Sequence, residues 1–106
     1  MPSLELSEID QSKTFDIENG SLVLIKLKEN PSTGYKWIVH YFDDRVIQFK
    51  GSNYSTESEN RLGGGGADTF TFQARSSGIT IIQLQLERTW DKSNRMNQFE
   101  VTLHVK

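Results

Sequence analysis

The sequence predicts an all-β fold, an immunoglobulin-like sandwich of seven or eight short antiparallel strands. Three observations carry this. Apolar and polar residues alternate with period two over most of the chain, no segment keeps a 3.6-residue apolar stripe, and turn-forming residues interrupt the alternation at short intervals. The length of 106 residues fits one domain spanning 1–106, with a single modest core.

The strands are read in order. Leu4 and Leu6 alternate near the start, followed by Phe15 and Ile17 and then by the mostly apolar run 21–28. Residues 35–41 place Trp37 and Val39 on one face, and 45–50 form a short strand. Residues 68–74 put Phe70, Phe72 and Ala74 on one side. The last two strands are the clearest. Residues 78–87 align Ile82, Leu84 and Leu86, and residues 98–106 set Phe99, Val101, Leu103 and Val105 against Glu100, Thr102 and His104. The Cys-Trp-Cys pattern of antibody domains is absent, because the chain has no cysteine.

Composition narrows the function classes. Twelve Lys and Arg against 14 Asp and Glu give a net charge of -2 without a long block of either sign, which argues against nucleic-acid and membrane partners. The lack of cysteine removes disulfides, thiol catalysis and Cys-based metal sites, and tolerates a reducing compartment. The start, MPSLELSEID, lacks the positive and then apolar profile of a secretory signal, so a cytoplasmic location is expected, with vesicular or lysosomal encounters open. His40 and His104 lie in strands without ligand spacing and read as surface histidines. No nucleophile motif or framed carboxylate pair occurs, so catalysis is rejected and neither cofactor nor metal is expected.

Chemistry concentrates in three connections, 29–34, 51–67 and 88–97. If the strands from Ser21 onward run antiparallel in turn, these are the first, third and fifth connections and emerge together at one end. The intervening ones, near 42–44 and 75–78, are short and polar. Asn30-Pro31-Ser32-Thr33-Gly34 joins a fixed φ at Pro31 to a position at Gly34 that tolerates φ > 0. Read plainly it is a well-made turn, and read functionally a stiff, preorganised binding loop. Residues 51–67 hold Arg61, Leu62 and the run Gly63, Gly64, Gly65 and Gly66, half of the chain's eight glycines. Such a ribbon could exchange main-chain hydrogen bonds with a partner or serve as a floppy tether. Arg88-Thr89-Trp90 follows a strongly apolar strand and places a Trp outside the alternation, either as a binding hot spot or as a cap on the open end of the sandwich. Trp37, mid-strand and in phase, reads as core.

The motifs NPSTGY, RLGGGG and RTW, in that order and at that spacing, resemble the chagasin family of cysteine protease inhibitors, over residues 21–105. The resemblance implies reversible, tight-binding inhibition of papain-like, cathepsin-type enzymes by a monomer in a 1:1 complex, with three neighbouring loops wedged across the catalytic cleft. It places Asn30, Pro31, Ser32, Thr33 and Gly34 over the enzyme's catalytic Cys and His. Leu62 and Gly63 to Gly66 are placed along the substrate-binding side, Arg88 and Trp90 on the leaving-group side, and Tyr35 behind the first loop as its support. The family pattern commonly has Thr at Ser32, Pro at Thr89 and often a side chain at Gly64. The first difference keeps the hydroxyl, and the second removes a φ constraint from the third loop. The competing class is an immunoglobulin-like adhesion or protein-interaction module without a protease target. It gives no reason for a Pro-stiffened turn, a glycine ribbon and an out-of-phase Trp to share one end.

Overall fold

The computed structural model describes residues 3–29, 34–56, 66–88 and 91–106, with backbone alone at 56, 88 and 91–97. Eight strands form two four-stranded sheets: β1 (Ser3–Leu6), β2 (Thr14–Ile17), β3 (Leu22–Glu29), β4 (Tyr35–Tyr41), β5 (Ile47–Thr56), β6 (Gly66–Ala74), β7 (Gly78–Arg88) and β8 (Asp91–Val105). The first sheet has the order β1-β3-β6-β5 and the second β2-β8-β7-β4.

The expected sandwich is present, and the six strands from β3 onward pair antiparallel within their sheets. The first two strands depart from this pattern. β1 runs parallel to β3, with Ser3 opposite Leu22, and β2 runs parallel to β8, with Thr14 opposite Thr102. Both belong to one amino-terminal segment that crosses between the sheets. A single 3-10 turn, Glu8–Asp10, makes the crossing, with the Asp10 carboxylate accepting the Ser7 N–H at 2.9 Å. Period-two alternation fixes which face a residue occupies but carries no strand direction, so this parallel pairing had no signal in the pattern.

The core is the alternation made solid. Val23, Ile25 and Leu27 of β3 and Phe70 and Phe72 of β6 pack with Ile82 and Leu84 of β7 and Phe99, Val101 and Leu103 of β8, all buried. Leu6 and Ile17 bury one residue from each amino-terminal strand into the same cluster. At about 1.5–3 kcal/mol for each large apolar side chain removed from water, this cluster supplies the main drive to fold in a chain without disulfides. An aromatic group supports one side, where Phe72 meets Phe49 at 5.1 Å and the edge of Phe42 at 5.5 Å between ring centroids.

Two connections are shorter than the sequence suggests. β5 does not stop at Lys50 but continues to Thr56. A β-bulge between Phe49 and Gly51, with Gly51 at φ 135°, absorbs the break in alternation. β6 begins at Gly66, so the second connection spans 57–65 rather than 51–67. β8 begins at Asp91, opposite Arg88, which leaves 89–90 between β7 and β8 where the sequence reading placed a loop over 88–97. Two register shifts, on either side of Glu87, interrupt that ladder and hide its alternation.

The plain end is closed by a compact polar turn. Asp43 Oδ1 accepts both the backbone N–H and Nε–H of Arg45 at 3.0 Å, and Oδ2 accepts from Nη2 at 2.9 Å, which holds the Asp43 carboxyl below its ordinary pKa. The β6–β7 connection is tied to the same turn through the Arg75 N–H, which donates to the Val46 carbonyl at 2.8 Å.

Candidate functional site

The register gathers six strand ends at the other end of the sandwich. In the first sheet Glu29, the last residue of β3, lies opposite Gly66, the first of β6, which in turn faces Thr56, the last of β5. In the second sheet Tyr35, the first residue of β4, faces Arg88, the last of β7, and Arg88 faces Asp91, the first of β8. The two sheets are joined there. The Trp37 backbone N–H donates to Glu29 Oε1 at 2.8 Å, and the Trp37 indole N–H donates to the Lys28 carbonyl at 2.8 Å. The connections 30–34, 57–65 and 89–90 therefore all start and finish at one end, as the strand-alternation argument expects.

The predicted site residues fall into two groups. Asn30, Pro31, Ser32, Thr33, Leu62, Gly63, Gly64, Gly65 and Trp90 lie outside the described residues. Gly34, Gly66 and the backbone of Arg88 lie within them. Gly34 has φ 82°, the left-handed region that an L side chain enters at a cost of roughly 1–2 kcal/mol, so glycine here serves the backbone at the exit of the first connection. Gly66 is a strand residue rather than part of a free ribbon. A Cβ built on it would sit 2.7 Å from Tyr54 Oη and 2.9 Å from the Ser55 carbonyl carbon, with the Ser55 oxygen closer still. Its lack of a side chain is explained by the close β5–β6 approach. Arg88 closes the β7 ladder as a paired strand residue, and Tyr35 beside it is partly buried. Trp37 is core, at 5 % exposure.

Beneath the three connections lies a polar cluster that the sequence reading missed. Glu29 and Asp68 are both buried, on neighbouring strands, with 7 % and 2 % exposure. Burial pushes the Asp68 carboxyl above its ordinary pKa. The neighbouring carboxylate of Glu29 adds to this, and Lys36, with Nζ 3.9 Å from Asp68 Oδ2, opposes it. The signal was present in the sequence. Glu29 continues the inward phase of Val23, Ile25 and Leu27, and Asp68 that of Phe70, Phe72 and Ala74, so each acid stands where the pattern demands an apolar residue.

Among the described residues no group of three His, Cys, Asp or Glu could hold a metal ion. His40 and His104 are exposed, and His104 Nδ1 lies 3.3 Å from Asp16, away from the loop end. What the end offers is the gathering of the six strand ends from which the three connections leave and to which they return.

Comparison with known proteins agrees with the motifs. No curated protein sequence matches the chain significantly. Among solved structures, the crystal structure of the cysteine protease inhibitor EhICP2 from Entamoeba histolytica superposes with a TM-score of 0.90 at 22 % identity, covering 100 % of this chain and 97 % of the other. The solution structure of Amebosin gives 0.82 at 25 % identity, with both chains covered fully. PbICP-C, solved in complex with falcipain-2, gives 0.67 at 19 % identity, again with full coverage of both. The family model described as chagasin family peptidase inhibitor I42 matches residues 16–105, nearly the whole sandwich, and the chain belongs to the chagasin family of cysteine protease inhibitors.

Proposed function

We propose that the protein is a reversible, tight-binding inhibitor of papain-like, cathepsin-type cysteine proteases, acting as a monomer in a 1:1 complex and blocking the active-site cleft with the three connections at one end of the sandwich. The single observation that carries this reading is the gathering of the six strand ends Glu29, Thr56, Gly66, Tyr35, Arg88 and Asp91 at that end. A cleft is filled best by a wedge of adjacent loops on a stiff base, because preorganised loops lose little entropy on binding. Asn30 to Gly34 is the central element, stiffened by Pro31 and by the left-handed Gly34. Leu62 to Gly65 flank it on one side, and Arg88 and Trp90 on the other. PbICP-C, a structural relative, is in complex with falcipain-2, and this supports a protease as the partner.

Inhibition needs no covalent step. The chain has no thiol, and a Pro-stiffened turn does not present an extended scissile bond. An interface of standard size, about 1,600 Å² in total, is compatible with nanomolar affinity, about -12 kcal/mol. The test is titration of the purified protein against papain and a cathepsin L-type enzyme, with trypsin as control and the mass of the inhibitor followed over hours. Stoichiometric loss of cysteine-protease activity with an intact inhibitor is expected. Absence of inhibition at micromolar concentration, or equal inhibition of trypsin, defeats the reading.

A further inference from the structure

We propose that Ile9, held out from the amino-terminal 3-10 turn, is a fourth contact of the binding end, which packs against an apolar patch of the protease beside its cleft and lies outside the three connections. The inference deepens the proposed inhibitory function and rests on it for its partner.

The placement comes from the register. β1 runs parallel to β3, with Leu6 opposite Ile25, so both strands head for the end where the six strand ends gather. The turn Glu8–Asp10 follows β1, and the Glu8 carboxylate accepts the backbone N–H of Lys28, the residue before Glu29. On its other side the segment is tied to β8. There Gln11 Nε2 donates to the Gln98 carbonyl at 3.0 Å, and Gln11 Oε1 accepts the Glu100 N–H at 2.6 Å. The turn thus bridges the two sheets, and on the β3 side it stands next to the root of the 30–34 connection.

Single exposed apolar residues are ordinary, so exposure alone carries nothing. Position separates this one from the rest. The large apolar side chains exposed among the described residues are Ile9, Tyr41, Phe49, Ile79 and Ile81. Tyr41 closes β4, Phe49 stands near the start of β5, and Ile79 and Ile81 open β7, so these four lie toward the plain end. Ile9 is the one at the binding end, and at 80 % it is the most exposed of them.

Its support is rigid. Asp10 Oδ2 accepts the Ser7 N–H at 2.9 Å, and Asp10 Oδ1 lies 3.6 Å from Lys13 Nζ. The N–H groups of Asp10 and Gln11 donate to the carbonyls of Ser7 and Glu8 at 2.9 and 3.3 Å. Ser12 holds φ 66°, a left-handed conformation that a residue other than glycine keeps where its surroundings impose it, and its N–H donates to the Glu100 carbonyl at 2.7 Å. The acids on either side of Ile9 are therefore bonded within the molecule, Glu8 to Lys28 and Asp10 to Ser7 and Lys13. What the turn offers outward is the apolar side chain between them. A side chain on so fixed a base loses little entropy when a partner covers it, and the gain follows the apolar area removed from water.

The occupant is the protease, because Ile9 stands beside the connections proposed to enter its cleft. The connections 30–34, 57–65 and 89–90 supply fewer residues than the roughly 20–30 a side of a standard interface, so neighbouring surface has to contribute. Residue 9 precedes the stretch 16–105 matched by the family model, and this contact is not among the motifs that identify the family.

The experiment measures inhibition constants against papain and a cathepsin L-type enzyme for the wild type, Ile9→Ser and Ile79→Ser, with thermal melting of each. Ile79, 64 % exposed toward the plain end, is the control. Ile9→Ser is expected to melt with the wild type and to inhibit at least one of the two enzymes on the order of tenfold less well. Ile79→Ser is expected to inhibit as the wild type does. Because the chain has no cysteine, Ile9→Cys and Ile79→Cys each carry a single site for an environment-sensitive fluorophore. On titration with papain its emission is expected to shift to the blue at position 9 and to stay unchanged at position 79. Undiminished inhibition of both enzymes by Ile9→Ser, or an unshifted label at position 9 in an inhibited complex, overturns the proposal. An equal loss in Ile79→Ser also overturns it, since the effect then does not belong to this end. If the wild type inhibits neither enzyme, the proposed function fails and the contact with it; if the wild type inhibits and Ile9→Ser does so equally, the contact alone fails.

Discussion

Replacing Gly66 by Ala separates a glycine needed by the fold from a glycine needed by a partner. The added methyl would stand 2.7 Å from Tyr54 Oη and 2.9 Å from the Ser55 carbonyl carbon, and nearer to the Ser55 oxygen. The tyrosine hydroxyl can swing aside, but the Ser55 carbonyl is backbone of the paired strand and cannot. Relief requires β5 and β6 to part at the loop end, where Thr56 faces Gly66 and Ser55 faces Ala67. Losing one or two ladder bonds there costs about 1 kcal/mol each, and the displaced packing adds to this, so a total of about 2–3 kcal/mol is expected. For a domain of this size that lowers the melting temperature by roughly 8–20 °C. Melting is followed by far-ultraviolet circular dichroism, with inhibition of papain measured on the same samples at low temperature. A glycine required only for contact with the protease gives the opposite pattern: unchanged melting and weakened inhibition. A Gly66→Ala protein that melts with the wild type refutes the steric argument.

The remaining perturbations concern the same end of the molecule. Trp37→Ala empties a buried site and leaves the Lys28 carbonyl without its indole donor, so a loss of about 3–5 kcal/mol of stability is expected in chemical denaturation. Trp90→Ala is expected to leave the denaturation midpoint nearly unchanged and to weaken inhibition by about 2 kcal/mol, and equal melting losses in both variants would make Trp90 a core cap. Gly34→Ala forces a side chain into the left-handed region at φ 82° and is expected to cost roughly 1–2 kcal/mol, read as a lowered midpoint accompanied by weaker inhibition. An unchanged midpoint there would mean that the backbone has found another path out of the first connection.

The sandwich was legible because its two inner faces obey one rule with few exceptions. Val23, Ile25 and Leu27, or Phe99, Val101, Leu103 and Val105, announce both strand and orientation. What the rule misses is what interrupts or exceeds it. The bulge at Gly51 shifts the phase of β5 and makes its second half look like loop, and the two shifts beside Glu87 do the same where β7 meets β8. Direction is a second blind spot. The parallel pairing of β1 with β3 and of β2 with β8 depends on a crossing between sheets through the Glu8–Asp10 turn, a tertiary fact with no local pattern. The shared end of the three connections, in contrast, follows from strand count alone once each strand from β3 on is opposed to its partner, and an odd number of reversals returns the chain to the same side.

Ending β3 at Lys28 assigns Glu29 to a loop, where an acid needs no explanation; ending it at Glu29 makes the residue a buried carboxyl at the base of that loop, where it does. The same holds for Asp68, which opens the apolar face Phe70, Phe72 and Ala74 and is buried with it. Two acids in apolar phase, each beside a proposed binding connection, raise a cost that an unselective sandwich could avoid with two leucines, since a buried polar pair seldom stabilises more than the apolar residues that would replace it. The Trp37 N–H, which at the edge of β4 bonds the Glu29 carboxylate rather than a neighbouring strand, supplies the reason an acceptor is worth keeping there. The base of the first connection is thereby fixed by polar groups of defined direction rather than by apolar packing that tolerates sliding, and a loop that must fit a cleft is better served by the former.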